Sequence, residues 1–296
     1  MSDFLIHVSA VACLYGILAL ALNLQMGLSG LVNFGLIALF GCGTYGAAFA
    51  HLWGWPPLAG LALGLVFAAL LGLFFARLGD RMSEDYWGIA TLSLAEIMRL
   101  VFTNEQGLAG GAQGVSGLPV TFAALPADSA ALARLALYAA LLVVAFVICQ
   151  RIARSGFGLS LKLMREEPQL ARALGYDLAR SRRIVMVVSS LMAAVAGFLY
   201  AHYLTFVGPE QLMSHETFLI WSMVIIGGIA NNWGVVAGAI LMQFALAYVP
   251  FVKDWFDVPS DFVAATRLII VGGGILAFLI WRPKGIFPER IGGSHV

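Results

Sequence analysis

The sequence predicts an all-α fold, a polytopic transmembrane helical bundle with about eight full spans, some of them broken or re-entrant. The 296 residues are 61% hydrophobic and only 11% charged, whereas soluble domains have about 45–50% apolar and about 25% charged residues. Many apolar runs also reach the roughly 20 residues that a helix needs to cross about 30 Å of hydrocarbon. This composition excludes a soluble enzyme, a disordered chain and a nucleic-acid binder, and the net charge of +1 indicates no partner.

Seven apolar runs have the length and composition of membrane helices. They are Phe4–Met26, Leu31–Leu52, Leu58–Leu78, Tyr86–Phe102, Ala131–Gln150, Ile184–Phe206 and Val263–Trp281. An eighth run, Phe218–Pro250, is long for one span and short for two. Glycines and amides interrupt it at Gly227–Gly234. Because open backbone at membrane depth is tolerated only where it faces protein or a water-filled cavity, we expect a broken or re-entrant element there, and eight to ten membrane helical elements in all.

The stretch Gln25–Gly35 combines glycine and amide residues in the same way and predicts a second break. The two breaks suggest a diverged internal repeat, as many transporters have. Close helix packing through small residues explains the pattern equally well. In either case we expect a single transmembrane domain over residues 1–296, with a loop at 151–183.

The distribution of basic residues predicts the orientation. Eight of the 17 Lys and Arg residues lie in the loop 151–183, called here the basic loop. The positive-inside rule places it in the cytoplasm. The tail with Arg282, Lys284 and Arg290 then lies on the same side. The N-terminus and the loops 103–129 and 253–261 are expected outside.

Motifs for enzyme chemistry are missing from the sequence. The three lysines, Lys162, Lys253 and Lys284, follow Leu, Val and Pro, so no Gly-Lys pair can cradle a nucleotide phosphate. No HExxH or GxSxG motif and no cysteine pair with metal-ligand spacing occurs. We therefore expect no catalytic residue, no metal site and no cofactor in this chain.

The middle of the basic loop is the most informative stretch. It predicts a short helix, a second helix that starts at Pro168 and a stop at Gly175. Leu170, Ala171 and Leu174 are expected to share one face, which suits docking into a groove on another protein. A solvated helix on the membrane surface would have the same composition.

The segment Arg165–Pro168, followed by Ala171 and Ala173–Gly175, resembles the EAA-type coupling loop of bacterial ABC importer permeases. The whole chain resembles more closely the permeases of branched-chain amino-acid transport systems, of the LivM type. The other matching motifs, in the family's order, are Gly30–Gly35, Gly41–Tyr45, Ala90–Leu92 with Glu96–Arg99, Gly110–Pro119, Gly227–Gly234 with Gly238–Ala239, and Arg282–Phe287.

The resemblance implies a permease subunit of an ABC importer in the bacterial inner membrane, carrying branched-chain or other amino acids. Its implied partners are a second permease (LivH-like, or a second copy), two cytoplasmic ATPases that bind ATP and Mg²⁺, and a periplasmic binding protein. Urea, short amides and aromatic acids are alternative solutes in the same family. A secondary transporter that works alone is the rival function. The residues expected to contact the ATPase are Arg165, Glu166, Glu167, Leu170, Ala171, Leu174 and Gly175.

Amides beside the breaks are candidates for a polar translocation path. They are Gln25, Asn33, Asn231 and Asn232. Broken-helix ends beside them would offer free N–H and C=O groups to a zwitterion. Hydrogen bonding to neighbouring helices is the alternative, and we favour it for Asn23.

Charged residues outside the basic loop have structural interpretations. Glu96 and Arg99 are three residues apart near the outer part of a predicted span, and we expect a structural ion pair. Glu210 and Glu216 are expected in a solvated outer loop, with contact to the binding protein as the alternative.

Overall fold

The computed structural model describes residues 2–80, 82–122, 125–256, 272–273, 280, 282 and 285–289. Most of the predicted span Val263–Trp281, the predicted outer loop after Phe256, and Lys284 and Arg290 of the tail lie outside these residues.

Helices dominate the described residues. They are α1 (Ser2–Asn23), α2 (Leu36–Leu52), α3 (Pro57–Gly79), α4 (Glu84–Asn104), α5 (Gln106–Ala109), α6 (Ala127–Arg154), α7 (Gly156–Glu166), α8 (Pro168–Ala173), α9 (Leu178–Leu204), α10 (Ser214–Gly227) and α11 (Asn232–Phe256). A two-stranded antiparallel sheet joins β1 (Val115–Ser116) to β2 (Phe206–Val207), with Val115 opposite Val207.

Five helical stretches are long and apolar enough to span a membrane. They are Asp3–Leu28, Pro57–Gly79, Ser129–Arg154, Leu178–Leu204 and Asn232–Val249. The shorter α2 is also apolar, and α4 has the length of a span but carries Glu96 and Arg99. The predicted all-α helical membrane bundle is confirmed. The number of full spans and the orientation stay predictions.

Both predicted breaks are present. After α1 the chain forms a π-helix, Leu24–Leu28, and then runs without helix from Gly30 to Gly35. We call Leu24–Gly35 the first break. The run 218–250 is divided by Gly228–Asn231, the second break, into the 14-residue α10 and the 25-residue α11. At 1.5 Å per residue α10 is about 21 Å long, too short to cross the hydrocarbon.

The centre of the bundle is formed by α1, α2 and α9. In the candidate spans of α1 and α9, 61% and 67% of the residues are buried, against 28% for α3 and 22% for α6. A side chain on Gly43 would collide with the carbonyl of Ala194, and one on Gly197 with the carbonyl of Phe40. Close backbone approach at small residues is how membrane helices gain packing energy, since lipid is as apolar as their side chains.

The basic loop folds into α7 and α8, as predicted. Ser155 caps α7, and its hydroxyl accepts a hydrogen bond from the Gly158 N–H at 3.2 Å. Pro168 is the first residue of α8, and Gly175 ends the turn after it with φ of +85°. Asp177 then caps α9 by accepting from the Arg180 N–H. The predicted restart and stop are confirmed.

The predicted shared face of α8 is wrong at Ala171. Ala171 is fully buried and packs with Met164 and Leu178. Leu170 and Leu174 are 49% and 62% exposed. Neighbouring residues of a helix point about 100° apart, so Leu170 faces away from the surface that Ala171 buries.

Candidate functional site

The two breaks lie side by side in the bundle, and Asn23 joins them. A side chain on Gly27, in the first break, would lie 2.7 Å from the backbone nitrogen of Ala230 in the second. The Asn23 side-chain oxygen accepts from the Ala230 N–H at 2.8 Å, and its Nδ2 donates to Asn232 Oδ1 at 2.9 Å. Asn23 is fully buried. One amide at the end of α1 therefore supplies both a donor and an acceptor to the second break.

Gln25 and Asn33 form a second buried network inside the first break. Asn33 Nδ2 donates to Gln25 Oε1 at 2.9 Å, and Gln25 Nε2 donates to the Ser189 hydroxyl of α9 at 2.6 Å. Asn33 also accepts from the Gly35 N–H through its side chain and from the Trp221 indole through its carbonyl. The network fixes the irregular backbone before α2 against α9 and α10, because buried polar groups need partners.

Asn231 and Asn232 have different roles at the second break. Asn231 is half-buried, and its Oδ1 accepts from the backbone N–H groups of Trp233 and Gly234, the pattern of a helix N-cap. Asn232 is buried, and its amide lies 2.9 Å from that of Gln150 on α6. Asn231 Nδ2 also donates to the carbonyl of Pro288 at 3.2 Å. All four proposed path residues thus bond to protein groups in this conformation. Contact with a solute stays a prediction.

A segment near the chain end, Gly285–Glu289, completes the second break. We call it the C-terminal segment. Its Ile286 and Phe287 N–H groups donate to the carbonyls of Ile226 and Gly227, at 2.9 and 3.0 Å. Ile226 and Gly227 are at the end of α10, where backbone carbonyls have no N–H partner within the helix. The segment therefore acts as an added cap on α10.

Arg165 connects the basic loop to both breaks. Its guanidinium donates to the carbonyl of Gly27 in the first break. It also pairs with Glu289 of the C-terminal segment at 2.8 Å, and Lys162 pairs with the same carboxylate at 2.6 Å. The Arg165 side chain is only 19% exposed. The end of α7 is thus tied to the first break directly and to the second through the C-terminal segment.

These charges shift one another's pKa. Burial alone would raise the pKa of Glu289, but its hydrogen bonds with Lys162 and Arg165 outweigh burial and hold that pKa below the ordinary carboxyl value. Burial would lower the pKa of Arg165, but hydrogen bonds to Glu289 and Glu166 raise it. Both shifts favour the charged forms of Glu289 and Arg165 at neutral pH.

The outer surface of α7 and α8 holds most of the predicted docking residues. Leu170 and Leu174 are exposed, the Glu166 side chain is 67% exposed, and Glu167 and Gly175 are also at the surface. Arg165 instead points inward, and Ala171 has no exposed surface. Docking of an ATPase on this surface stays a prediction.

Glu96 and Arg99 form the ion pair that their spacing predicts. Arg99 Nη2 lies 2.5 Å from Glu96 Oε1, and Arg99 Nε donates to both carboxylate oxygens at 3.0 Å. The side chains are 40% and 21% exposed. They satisfy each other on the surface of α4, and the structural role assigned to them remains a prediction.

Two groups of residues were not found by sequence reasoning. Glu216 lies in the first turn of α10, where Tyr15 of α1 donates to it, and not in a solvated loop as expected. Glu289 lies just beyond the Arg282–Phe287 motif, and no pattern in the sequence marks it. Both contacts join residues more than 100 positions apart, and a single sequence contains no signal for such pairs.

Comparison with known proteins gives a consistent assignment. Residues 4–279 match the family model described as branched-chain amino acid transport system / permease component. The chain is 28% identical to the high-affinity branched-chain amino acid transport system permease protein LivM of Escherichia coli, over 96% of this chain and 70% of that protein. It is 28% identical to the probable branched-chain amino acid transport permease protein LivM of Methanocaldococcus jannaschii, over 94% and 91%.

A more distant relative is the autoinducer 2 import system permease protein LsrC of Enterobacter sp., 26% identical over 80% of this chain and 69% of the relative. The family model spans the helices, both breaks and the basic loop. The protein therefore belongs to the family of permease components of branched-chain amino acid transport systems.

Proposed function

We propose that this chain is a translocation subunit of an ATP-driven importer for amino acids, branched-chain ones first. In this proposal it works with a second permease, LivH-like or a second copy, and with a periplasmic binding protein. Two cytoplasmic ATPases bind ATP and Mg²⁺ and dock on the basic loop. The protein lies in the inner membrane with its N-terminus outside. Family membership and the apolar spans support the proposal.

The single observation that carries the mechanism is the position of Arg165. Its guanidinium touches the Gly27 carbonyl and pairs with Glu289, while the neighbouring Glu166 is exposed. A displacement of α7 by an ATPase would therefore pull on both breaks at once. Coupling of this kind needs a contiguous set of packed and hydrogen-bonded groups, and this cluster supplies one.

A path would open by separation of the two breaks. Gln25, Asn33 and Asn232 use their amides on protein partners in the described conformation. Since a zwitterion needs polar contacts across about 30 Å of hydrocarbon, we propose that these amides exchange their present bonds for the solute when the breaks move. Asn231, whose side chain caps α11, would keep that role.

Purification of the chain from its native membrane in mild detergent, with mass spectrometry of the co-purifying proteins, tests the partnership. We expect a second permease and two copies of a P-loop ATPase. A homo-oligomer that lacks an ATPase even after extraction into lipid nanodiscs, and that transports with an ion gradient, would instead support a secondary transporter.

The docking surface is tested by Leu174→Asp and Glu167→Lys in the reconstituted complex. Both side chains point outward, so the permease should fold with normal yield while ATP-driven uptake falls by about tenfold or more. Leu125→Asp is the matched control, because Leu125 is 44% exposed at the opposite end of α6. Wild-type uptake by both docking variants would contradict the assigned surface.

Gly175 is a less suitable position for such a substitution, since its φ of +85° strains any side chain placed there.

The likeness to an autoinducer 2 import permease favours a second candidate, import of a solute that is not an amino acid. Uptake assays with leucine and with a neutral hydroxylated solute on the same reconstituted complex separate the two. Uptake of the neutral solute alone would replace the amino-acid assignment and leave the importer assignment in place.

A further inference from the structure

The carboxylate of Glu216 lies beside the middle of a helix that is long and apolar enough to span a membrane. Tyr15 of α1 donates to Glu216 Oε2 at 2.7 Å. Tyr15 lies twelve residues from one end and thirteen from the other end of the candidate span Asp3–Leu28. Glu216 itself is in the first turn of the half-length helix α10. The short helix thus begins level with the middle of that candidate span and not with its end.

An ionisable side chain at this depth is rare, and it either pairs with another charged group or marks a pathway for a solute. Glu216 has the Tyr15 hydroxyl as one partner, and His215 Nε2 lies 3.4 Å from its Oε1. Within the part of the chain that the structure describes, no Lys or Arg forms an ion pair with it. A carboxylate has about four acceptor positions, so one tyrosine hydroxyl leaves most of them open.

Two tyrosines, Tyr15 and Tyr200, lie beside this carboxylate. The rings of Tyr15 and Tyr200 meet edge to face with centroids 6.3 Å apart, and Phe40 lies 5.5 Å from Tyr200. The Glu216 side chain remains 23% exposed, so a small group can reach it. A carboxylate among aromatic rings suits an ammonium group, which gains a charge-assisted hydrogen bond from the former and cation–π attraction from the latter.

We propose that Glu216, with Tyr15 and Tyr200, binds the ammonium group of the transported solute. The inference rests on the proposed function, because it requires that the solute pass through this chain. It deepens that function by naming the chemical class: small solutes with a primary ammonium, such as amino acids, and not urea or hydroxy acids. Binding at Glu216 acts on one end of α10, and the other end of α10 is the second break. The site is therefore placed to link solute binding to the movement of the breaks.

The test uses the whole complex, with its partner permease, ATPases and binding protein, in proteoliposomes with ATP. The probes are leucine, the hydroxy-acid analogue of leucine, and urea. The variants are Glu216→Gln and Tyr15→Phe, with Glu105→Gln as the matched control, since Glu105 is exposed at the end of α4. Complex yield and the basal ATPase rate report on folding and assembly.

We expect Glu216→Gln to lower leucine uptake by about tenfold or more, with complex yield and basal ATPase rate unchanged, because loss of a charge-assisted contact has about that effect. Tyr15→Phe should lower leucine uptake less, and Glu105→Gln should leave it unchanged.

Unchanged leucine uptake in Glu216→Gln would overturn the inference. Loss of complex assembly in Glu216→Gln would also overturn it, because Glu216 would then be a subunit contact. A wild-type complex that takes up urea or the hydroxy acid but not leucine would overturn it as well. In these three cases the importer assignment survives. An assembled wild-type complex that imports none of the probes would contradict the proposed function itself, and the inference with it.

Discussion

At the residue scale, Asn23 links the end of α1 to the second break. Its side chain donates to Asn232 at the start of α11 and accepts from Ala230 in the second break. A packing role for Asn23 was predicted over a place in the path, and its bonds to neighbouring elements agree with that role. The partner could not be predicted, because Asn232 lies 209 positions away.

Asn23→Leu tests this role. The substitution leaves the Ala230 N–H and the Asn232 amide without their partner in a buried site, so the free energy of unfolding should fall by about 1–3 kcal/mol. Denaturant titration of the purified permease, followed by tryptophan fluorescence, measures the change. Asn104→Leu is the control, because Asn104 is exposed and bonds only within its own helix, and its effect should stay within about 0.5 kcal/mol. Equal effects of the two variants would argue against the role.

Glu289 gives a prediction about pH. Its folded-state pKa is lowered, so its stabilisation is complete above the ordinary carboxyl pKa of about 4.3 and is lost as pH falls through the folded value. Glu289→Gln should therefore lower Tm at pH 7 and lower it by less at about pH 3. Thermal unfolding in detergent at both pH values measures these Tm changes. Glu105→Gln is the control, and its Tm should equal that of the wild-type protein at both pH values. A Tm difference that is the same at both pH values would contradict the charged cluster.

At the scale of elements, apolar run length predicted most helices to within a few residues. The breaks were also predictable, because glycine and amide residues interrupt the apolar runs there. That α10 is too short to span the hydrocarbon could not be predicted. Apolar residues continue on both sides of Gly227–Gly234, and composition does not show where a helix turns. The inward face of Ala171 was missed because α8 has only six residues, too few for a periodic pattern.

The contact of α2 with α9 depends on glycine, and Gly43→Val should disrupt it. The added side chain would collide with the Ala194 carbonyl, which is backbone and cannot rotate away, so we expect destabilisation of about 1–3 kcal/mol or more and a low yield of monodisperse protein. Size-exclusion chromatography of a fluorescent fusion measures that yield. Gly107→Ala is the control, since nothing lies within 4 Å of the added methyl group. A normal yield for Gly43→Val would show that the two helices can separate without cost.

At the scale of the whole molecule, the basic loop, the C-terminal segment and the two breaks form one connected unit. Only its parts were visible in the sequence. The glycine-rich and basic motifs resembled those of a family, but the contacts that join them link positions up to 209 apart in chain order. Long-range pairing of this kind depends on how the helices pack, and local composition does not determine it.

Arg165→Ala tests whether this unit couples ATP hydrolysis to transport. In the reconstituted complex, ATP hydrolysis should continue while solute imported per ATP falls by about 2-fold to 30-fold, the range expected when one coupling contact is removed. Arg172→Ala removes the same charge from the exposed face of α8 and should leave the ratio unchanged. A parallel fall in hydrolysis and uptake would assign Arg165 to docking and not to transmission.

The cap that the C-terminal segment places on α10 also has a consequence for biosynthesis. The donors Ile286 and Phe287 follow the acceptors Ile226 and Gly227 by sixty residues. At about 5–20 residues per second, a ribosome needs about 3–12 seconds to make that stretch. During this interval α10 can already be in the bilayer with its last carbonyls still lacking these partners. A chain cut short before Gly285 would therefore insert every long helix described here and still fail to complete the second break.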